Sequence, residues 1–224
     1  IWDKGEVVEL TPPHDVLGQV IGQYLPKTEA LREMMKKSYD ILSNHPINVE
    51  RMKKGLNPAN SIWFWGAGTR PALAPFVEKT GHTGAMISAV DLLKGIAVGA
   101  DMKVVEVEGA NGGLDTNYEG KADAAVEALL KDDLDFAYIH LEAPDEMGHQ
   151  GSFERKVQAI ENLDKRIIKR VTEQLEAAGT DFRMLVLPDH PTPVAIRTHV
   201  SDPVPYMLYD LSLIHISEPT RLLS

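Results

Sequence analysis

Residues 134–163 read LDFAYIHLEAPDEMGHQGSFERKVQAIENL, and this stretch decides the fold class. Leu134–Leu141 is an apolar run of the length of a buried strand. From Phe153 the spacing changes. Val157, Ile160, Leu163, Ile167, Val171 and Leu175 recur every three or four residues, which predicts a long amphipathic helix over 153–178. Between strand and helix lies an acidic loop that ends on His149.

Working outward, the same alternation continues. Strands are expected at 84–89 and 103–107, with helices at 90–98 and 118–131 between and after them. Two further strands are expected at 182–187 and 204–209. Strands alternating with helices imply an α/β fold with a mostly parallel sheet covered by helices on both faces. Toward the N-terminus the pattern is different. A strand is expected at 6–10, a helix at 27–42, and a second helix at 49–54 closed by Gly55. SIWFW (61–65) reads as a buried strand. The shift of pattern near 79–83 divides the chain into a domain of residues 1–80 and one of residues 81–210.

The 224 residues carry 23 Lys and Arg against 33 Asp and Glu, a net charge of −10. An acidic chain lacks the basic face that displaces counterions from nucleic acid, so no nucleic-acid partner is expected. An anionic substrate stays open, because a metal ion or a local Arg or Lys overrides the global sign. There is no cysteine, which excludes disulfides and thiolate-bound metals and fits a reducing cytoplasm. No run is long and apolar enough for a membrane span, and the start has neither a signal-peptide pattern nor an initiator Met.

Chemistry concentrates in residues 140–202, which hold four of the eight histidines. Asp145 and His149 are four apart on a loop leading from a strand into a helix, so both can face one ion. Asp189 and His190 lie in a proline-stiffened loop after another strand, and His199 lies just before the last strand. Ligands in open α/β sheets bind at the carboxyl ends of strands. Two carboxylates and three imidazoles without a thiolate suit Zn, Mn, Fe or Co, and their number would serve a two-metal site of the kind used in phosphoryl transfer. Each element alone also has a plain reading, His190 as a loop-capping group for example. Arg70, in the glycine-rich GAGTR segment, reads equally as an anion contact or a surface residue. By pattern alone Lys94 is a solvated helix lysine, and His14-Asp15 is a turn. Trp63 and Trp65 read as core. Lys165, Arg166, Lys169 and Arg170 read as the wet face of a helix.

Taken together, EAPDEMGHQG (142–151), LPDHPTP (187–193) and THVSDPVP (198–205) resemble the cofactor-independent phosphoglycerate mutases. The likeness is to the archaeal-type branch, within the alkaline phosphatase superfamily. NPANSIWFWGAG (57–68), ISAVDLLKGI (87–96) and LDTNYEGK (114–121) are similar to the same branch, so the likeness spans about residues 10–210. The resemblance implies an alkaline phosphatase-like domain with two divalent ions, Mn or Zn and otherwise Mg, Co or Fe. It implies no 2,3-bisphosphoglycerate. A seryl oxygen would take the phosphoryl group of 3-phosphoglycerate and return it to the 2-hydroxyl, in cytoplasmic glycolysis or gluconeogenesis. An inserted α+β domain would clamp the glycerate.

Carried onto this chain, the resemblance gives one ion to Asp145, His149 and His199, and part of a second site to Asp189 and His190. Lys94 matches a family lysine near the phosphoryl group, against its reading by pattern. Arg70, His14 and Asp15 fall to the substrate side. The family's upstream Asp ligand and Ser nucleophile have no matching position, and Ser61 and Ser88 do not match by motif. The chain is therefore expected to begin inside the inserted domain and to be inactive as an isolated piece. Residues 211–224, LSLIHISEPTRLLS, read as translated sequencing adapter. They are expected to pack poorly, and His215 is left out of the site. A phosphohydrolase or phosphotransferase on the same scaffold, or a non-catalytic metal-binding domain, would share the ligands.

Overall fold

A computed structural model describes residues 7–16, 18–69 and 71–210. They fall into two compact units, one up to Pro71 and one from Ala72 onward.

In the first unit, helix α1 (Glu29–Ser43) is followed by α2 (Pro46–Lys53). Pro46 opens α2, where its missing N–H costs nothing. Asn48 on α2 is buried. Its amide donates to the Leu42 and Ala59 carbonyls at 2.7 and 2.9 Å and accepts from the Ala59 N–H at 2.9 Å. Ser38 on α1 accepts from the Ile62 N–H at 3.0 Å, and the Trp63 indole donates to the Thr11 carbonyl at 2.8 Å. These bonds correct the expectation of a strand at 61–65. Within 61–65 the Ser38 side chain of α1 takes the Ile62 N–H that a sheet partner would have bonded, and no ladder forms. Residues 7–10 likewise form no strand.

The second unit opens with α3 (Phe76–Thr80), which the sequence reading assigned to the first domain. It packs here because the Phe76 ring stacks on Phe136 at 5.3 Å and the Phe76 N–H reaches the Ala100 carbonyl at 2.6 Å. Strands β1 (Gly84–Ile87), β2 (Lys103–Val104) and β3 (Phe136–Ile139) form a parallel sheet in the order β2-β1-β3. Helices α4 (Asp91–Gly99) and α5 (Tyr118–Leu130) make the crossovers. All of β1 is buried, as a central parallel strand requires. Ala85 and Ile87 pack on Ala125 and Ala128 of α5. On the other face a side chain at Gly84 would stand 3.0–3.3 Å from Met102, Phe76 and Phe136. A side chain there would press on that layer.

Helix α6 (Ala143–His149) follows β3 directly, where an extended loop was expected. The expected long helix is present as α7 (Phe153–Leu163), a π turn (Asp164–Ile168) and α8 (Lys169–Ala177). Its apolar stripe closes the main core through Ile167, Val171 and Leu175 against Tyr118, Ala122 and Met147. Strands β4 (Arg183–Val186) and β5 (Met207–Asp210) pair with each other and antiparallel. Extending the parallel order would need a helical crossover. The 187–206 connection contains no helix, so the chain doubles back.

Arg166 and Arg170 are not merely a solvated face. Each forks onto a carboxylate of α5: Arg166 onto Glu119 at 2.6 Å twice, Arg170 onto Asp123 at 2.7 and 2.8 Å. These hydrogen bonds hold both carboxyls below the usual carboxylate range. With side chains about two-fifths exposed, each pair is worth ~0.2–1 kcal/mol after screening. The sign follows from the lowered values. This stability is fully present above about pH 4 and is lost as pH falls through the folded-state values. The double variant Arg166→Gln/Arg170→Gln is expected to flatten the acid limb of a melting-temperature profile below about pH 4. An unchanged limb would show that the pairs contribute nothing to α5–α8 docking.

Candidate metal centre

Helix α6 starts where β3 ends, with the His140 N–H still bonded to the Ile87 carbonyl of β1 at 2.9 Å. It therefore stands at the carboxyl edge of the parallel sheet. Asp145 lies in its first turn and His149 in its last, one helical turn apart on one face. Their Oδ2 and Nε2 atoms are 3.3 Å apart. His199 arrives from the 187–206 connection. Its Nε2 lies 3.3 Å from Asp145 Oδ1 and 3.1 Å from His149 Nε2. Among the described residues these three form the group of acids and imidazoles able to converge on one ion.

The protonation pattern suits an ion. His149 Nδ1 is 2.9 Å from the Arg197 carbonyl oxygen, which can only accept. Nδ1 therefore carries a proton, which leaves Nε2, facing Asp145 and His199, as the ring nitrogen available to an ion. Arg197 sits at φ +61° with its N–H on the Pro193 carbonyl at 2.8 Å, and this left-handed turn aims its own carbonyl at His149. Ligand bonds of about 2.0–2.2 Å in a tetrahedral array put donor atoms roughly 3.3–3.6 Å apart. The observed 3.1–3.3 Å separations fit such an ion with little movement.

Asp189 and His190 stand beside this group and face each other at 3.5 Å. The His190 ring lies against His199 with centroids 3.7 Å apart. Lys94 lies on α4. Its ammonium pairs with Glu106 Oε2 at 2.7 Å and its side chain is only 21% exposed, so it is less solvated than its pattern suggested. Arg70, the side chains of His14 and Asp15, and residues 211–224 with His215 lie outside the described residues.

A model of the metalloenzyme superfamily matches residues 24–221. The chain belongs to that superfamily. A Methanosarcina barkeri relative, named 2,3-bisphosphoglycerate-independent phosphoglycerate mutase, is 51% identical over 208 residues, 92% of this chain and 52% of the relative. A Geobacter sulfurreducens protein with the same name, prefixed "probable", is 48% identical over 213 residues, 93% and 53% of the two chains. The solved PH0037 protein from Pyrococcus horikoshii matches with a TM-score of 0.67 at 34% identity, covering 81% of this chain and 47% of that one. The chain spans about half the length of the curated relatives it matches.

Two buried polar residues of this metalloenzyme chain escaped the sequence reading, one against the group and one at the junction of β3 and α6. Thr192 is buried and its hydroxyl donates to Asp145 Oδ1. Lys121 is fully buried on α5, and its ammonium donates to the His140 carbonyl at 3.1 Å. Burial holds the Lys121 ammonium below its usual pKa and lifts the neighbouring Glu142 carboxyl. Burial also lowers His140, whose Nδ1 is 3.3 Å from Ser88 Oγ. A signal for Lys121 was available. It falls at helical spacing between Tyr118 and Ala125, inside the apolar stripe of α5. Thr192 offered none, since a threonine between two prolines reads only as loop.

Proposed function

We propose that the chain provides the metal-binding part of a 2,3-bisphosphoglycerate-independent phosphoglycerate mutase, which interconverts 3-phosphoglycerate and 2-phosphoglycerate. One observation carries the reading. Asp145, His149 and His199 converge at the sheet's carboxyl edge in a chain half identical to proteins of that name.

In this reading Asp145, His149 and His199 hold one divalent ion, and Asp189 and His190 contribute to a second. Such ions polarise phosphoryl oxygens and lower the pKa of a bound hydroxyl. The Arg197 carbonyl keeps His149 in the tautomer that presents Nε2. Lys94 exchanges its partner Glu106 for the transferring group and balances the charge on its equatorial oxygens. Arg70, His14 and Asp15 orient the glycerate, so that its 2- and 3-hydroxyls take turns at the phosphoryl group. The seryl acceptor that the family resemblance implies has no match in these 224 residues. The transfer itself is therefore proposed of a protein of the relatives' length, acting in cytoplasmic glycolysis or gluconeogenesis.

The test uses the full open reading frame that encodes the chain, supplied with Mn(II) or Zn(II) and 3-phosphoglycerate and followed by phosphorus NMR. The expected result is 2-phosphoglycerate without added 2,3-bisphosphoglycerate. Release of inorganic phosphate without isomerisation would overturn the reading in favour of a phosphohydrolase.

A further inference from the structure

Thr192 joins the two candidate ligand segments. Its hydroxyl donates to Asp145 Oδ1 on α6 and lies 3.3 Å from Nδ1 of His190 on its own loop. Its carbonyl accepts from the Lys156 ammonium of α7 at 2.7 Å. The residue is 3% exposed, so these bonds form out of water, where an unmade bond is costly. The approach needs a bare backbone opposite. A side-chain carbon at Gly148 would stand 2.4 Å from the Thr192 carbonyl oxygen, a distance no packing tolerates. Gly148 lies between Asp145 and His149 on α6, so the glycine admits the loop beside the two residues it serves.

We propose that Thr192 is a positioning residue that orients the Asp145 carboxylate for its ion and registers the Asp189-His190 loop against it. The inference rests on the metal reading of Asp145, His149 and His199. With its lone hydrogen spent on Oδ1, the Thr192 hydroxyl limits rotation of the carboxylate. Oδ2 is thereby held toward His149 Nε2. The same hydroxyl oxygen faces His190 Nδ1, so one atom sets the orientation of a side chain in each ligand segment. Lys156 fixes the carbonyl end and prevents the loop from drifting when the hydroxyl is lost.

The test measures Mn(II) binding by titration calorimetry on the 224-residue chain and on its His149→Ala, Thr192→Val and Thr192→Ser variants. Far-UV spectra and metal-free melting curves are recorded on each. Thr192→Val keeps the shape and removes the hydroxyl, and its affinity is expected to fall about 10–100-fold. Thr192→Ser restores the hydroxyl and is expected to bind within about threefold of the parent. A merely structural role would shift metal-free melting and leave the Val and Ser variants equal in affinity. The inference is overturned if Thr192→Val binds within about threefold of the parent, or if Thr192→Ser falls as far as Thr192→Val. If the Val variant does not reach the parent's spectrum, Thr192→Ala carries the same comparison, with a loss of about tenfold or more expected and parity again overturning it. A parent that binds no Mn(II) removes the metal reading and this inference with it. Loss in His149→Ala beside full binding in Thr192→Val removes only this one.

Discussion

Asp145→Ala is expected to lower the affinity of the chain for Mn(II) or Zn(II) by about two orders of magnitude or more, the largest single effect at the site. Asp145 is the one anionic donor of its group, and both of its oxygens are engaged, Oδ2 with His149 and Oδ1 with His199. Two neutral imidazoles left alone neither balance a divalent charge nor complete a four-coordinate shell. The fold is expected to survive. The carboxylate stands in the first turn of α6, where its favourable term with the helix dipole is about 0.3–1 kcal/mol, and the Thr192 hydroxyl that loses it keeps His190 Nδ1 at 3.3 Å. Metal-free far-UV spectra of parent and variant should therefore coincide while their calorimetric titrations separate. Undiminished binding in the variant would place the ion elsewhere and remove Asp145 from the centre.

Lys121→Ala is expected to have the largest effect on stability, a loss of about 3–5 kcal/mol, because it breaks a buried charge arrangement by removing one partner. The side chain is wholly enclosed, and the ammonium bonds the His140 carbonyl at the point where β3 gives way to α6. Glu142, which lies between that carbonyl and α6, supplies the main charge favouring the ammonium. Its Oε1 is buried and makes no hydrogen bond, with His140 Nδ1 3.9 Å away. Without Lys121, the His140 carbonyl loses the ammonium that bonds it and the half-buried Glu142 carboxylate loses its nearest full positive charge. Lys121→Met keeps the volume and should recover part of the loss, so the gap between Met and Ala separates packing from charge. Urea unfolding in metal-free buffer reads both. A loss under about 1 kcal/mol in the Ala variant would mean that water reaches the space and satisfies those groups.

These two residues mark different depths of legibility. The four-residue step from Asp145 to His149 is written in the chain, since one helical turn brings i and i+4 to one face. His199 also stood out as a metal-capable residue before a strand. Its meeting with His149, 50 residues away, depended on a turn at Arg197 in the left-handed region. No local propensity signals that conformation for arginine.

The same division runs through the fold. The stripe from Val157 to Leu175 and the strand–helix alternation from Gly84 onward were determined by the sequence, because periodicity and burial are local properties of the chain. SIWFW has the composition of a strand and is none: Ser38 of α1 takes up the Ile62 N–H, and the Trp63 indole bonds the Thr11 carbonyl. Arg166 and Arg170 have the spacing of a wet face, yet they fork onto Glu119 and Asp123 once α5 lies alongside. Thr192 and Lys121 gain their roles only through what encloses them. By itself, the sequence determined which residues could carry metal chemistry and where the strands and helices of the parallel sheet from Gly84 onward would fall. The tertiary structure alone decided which of those residues converge and which polar groups lose water, since convergence and desolvation are set by segments distant in the chain.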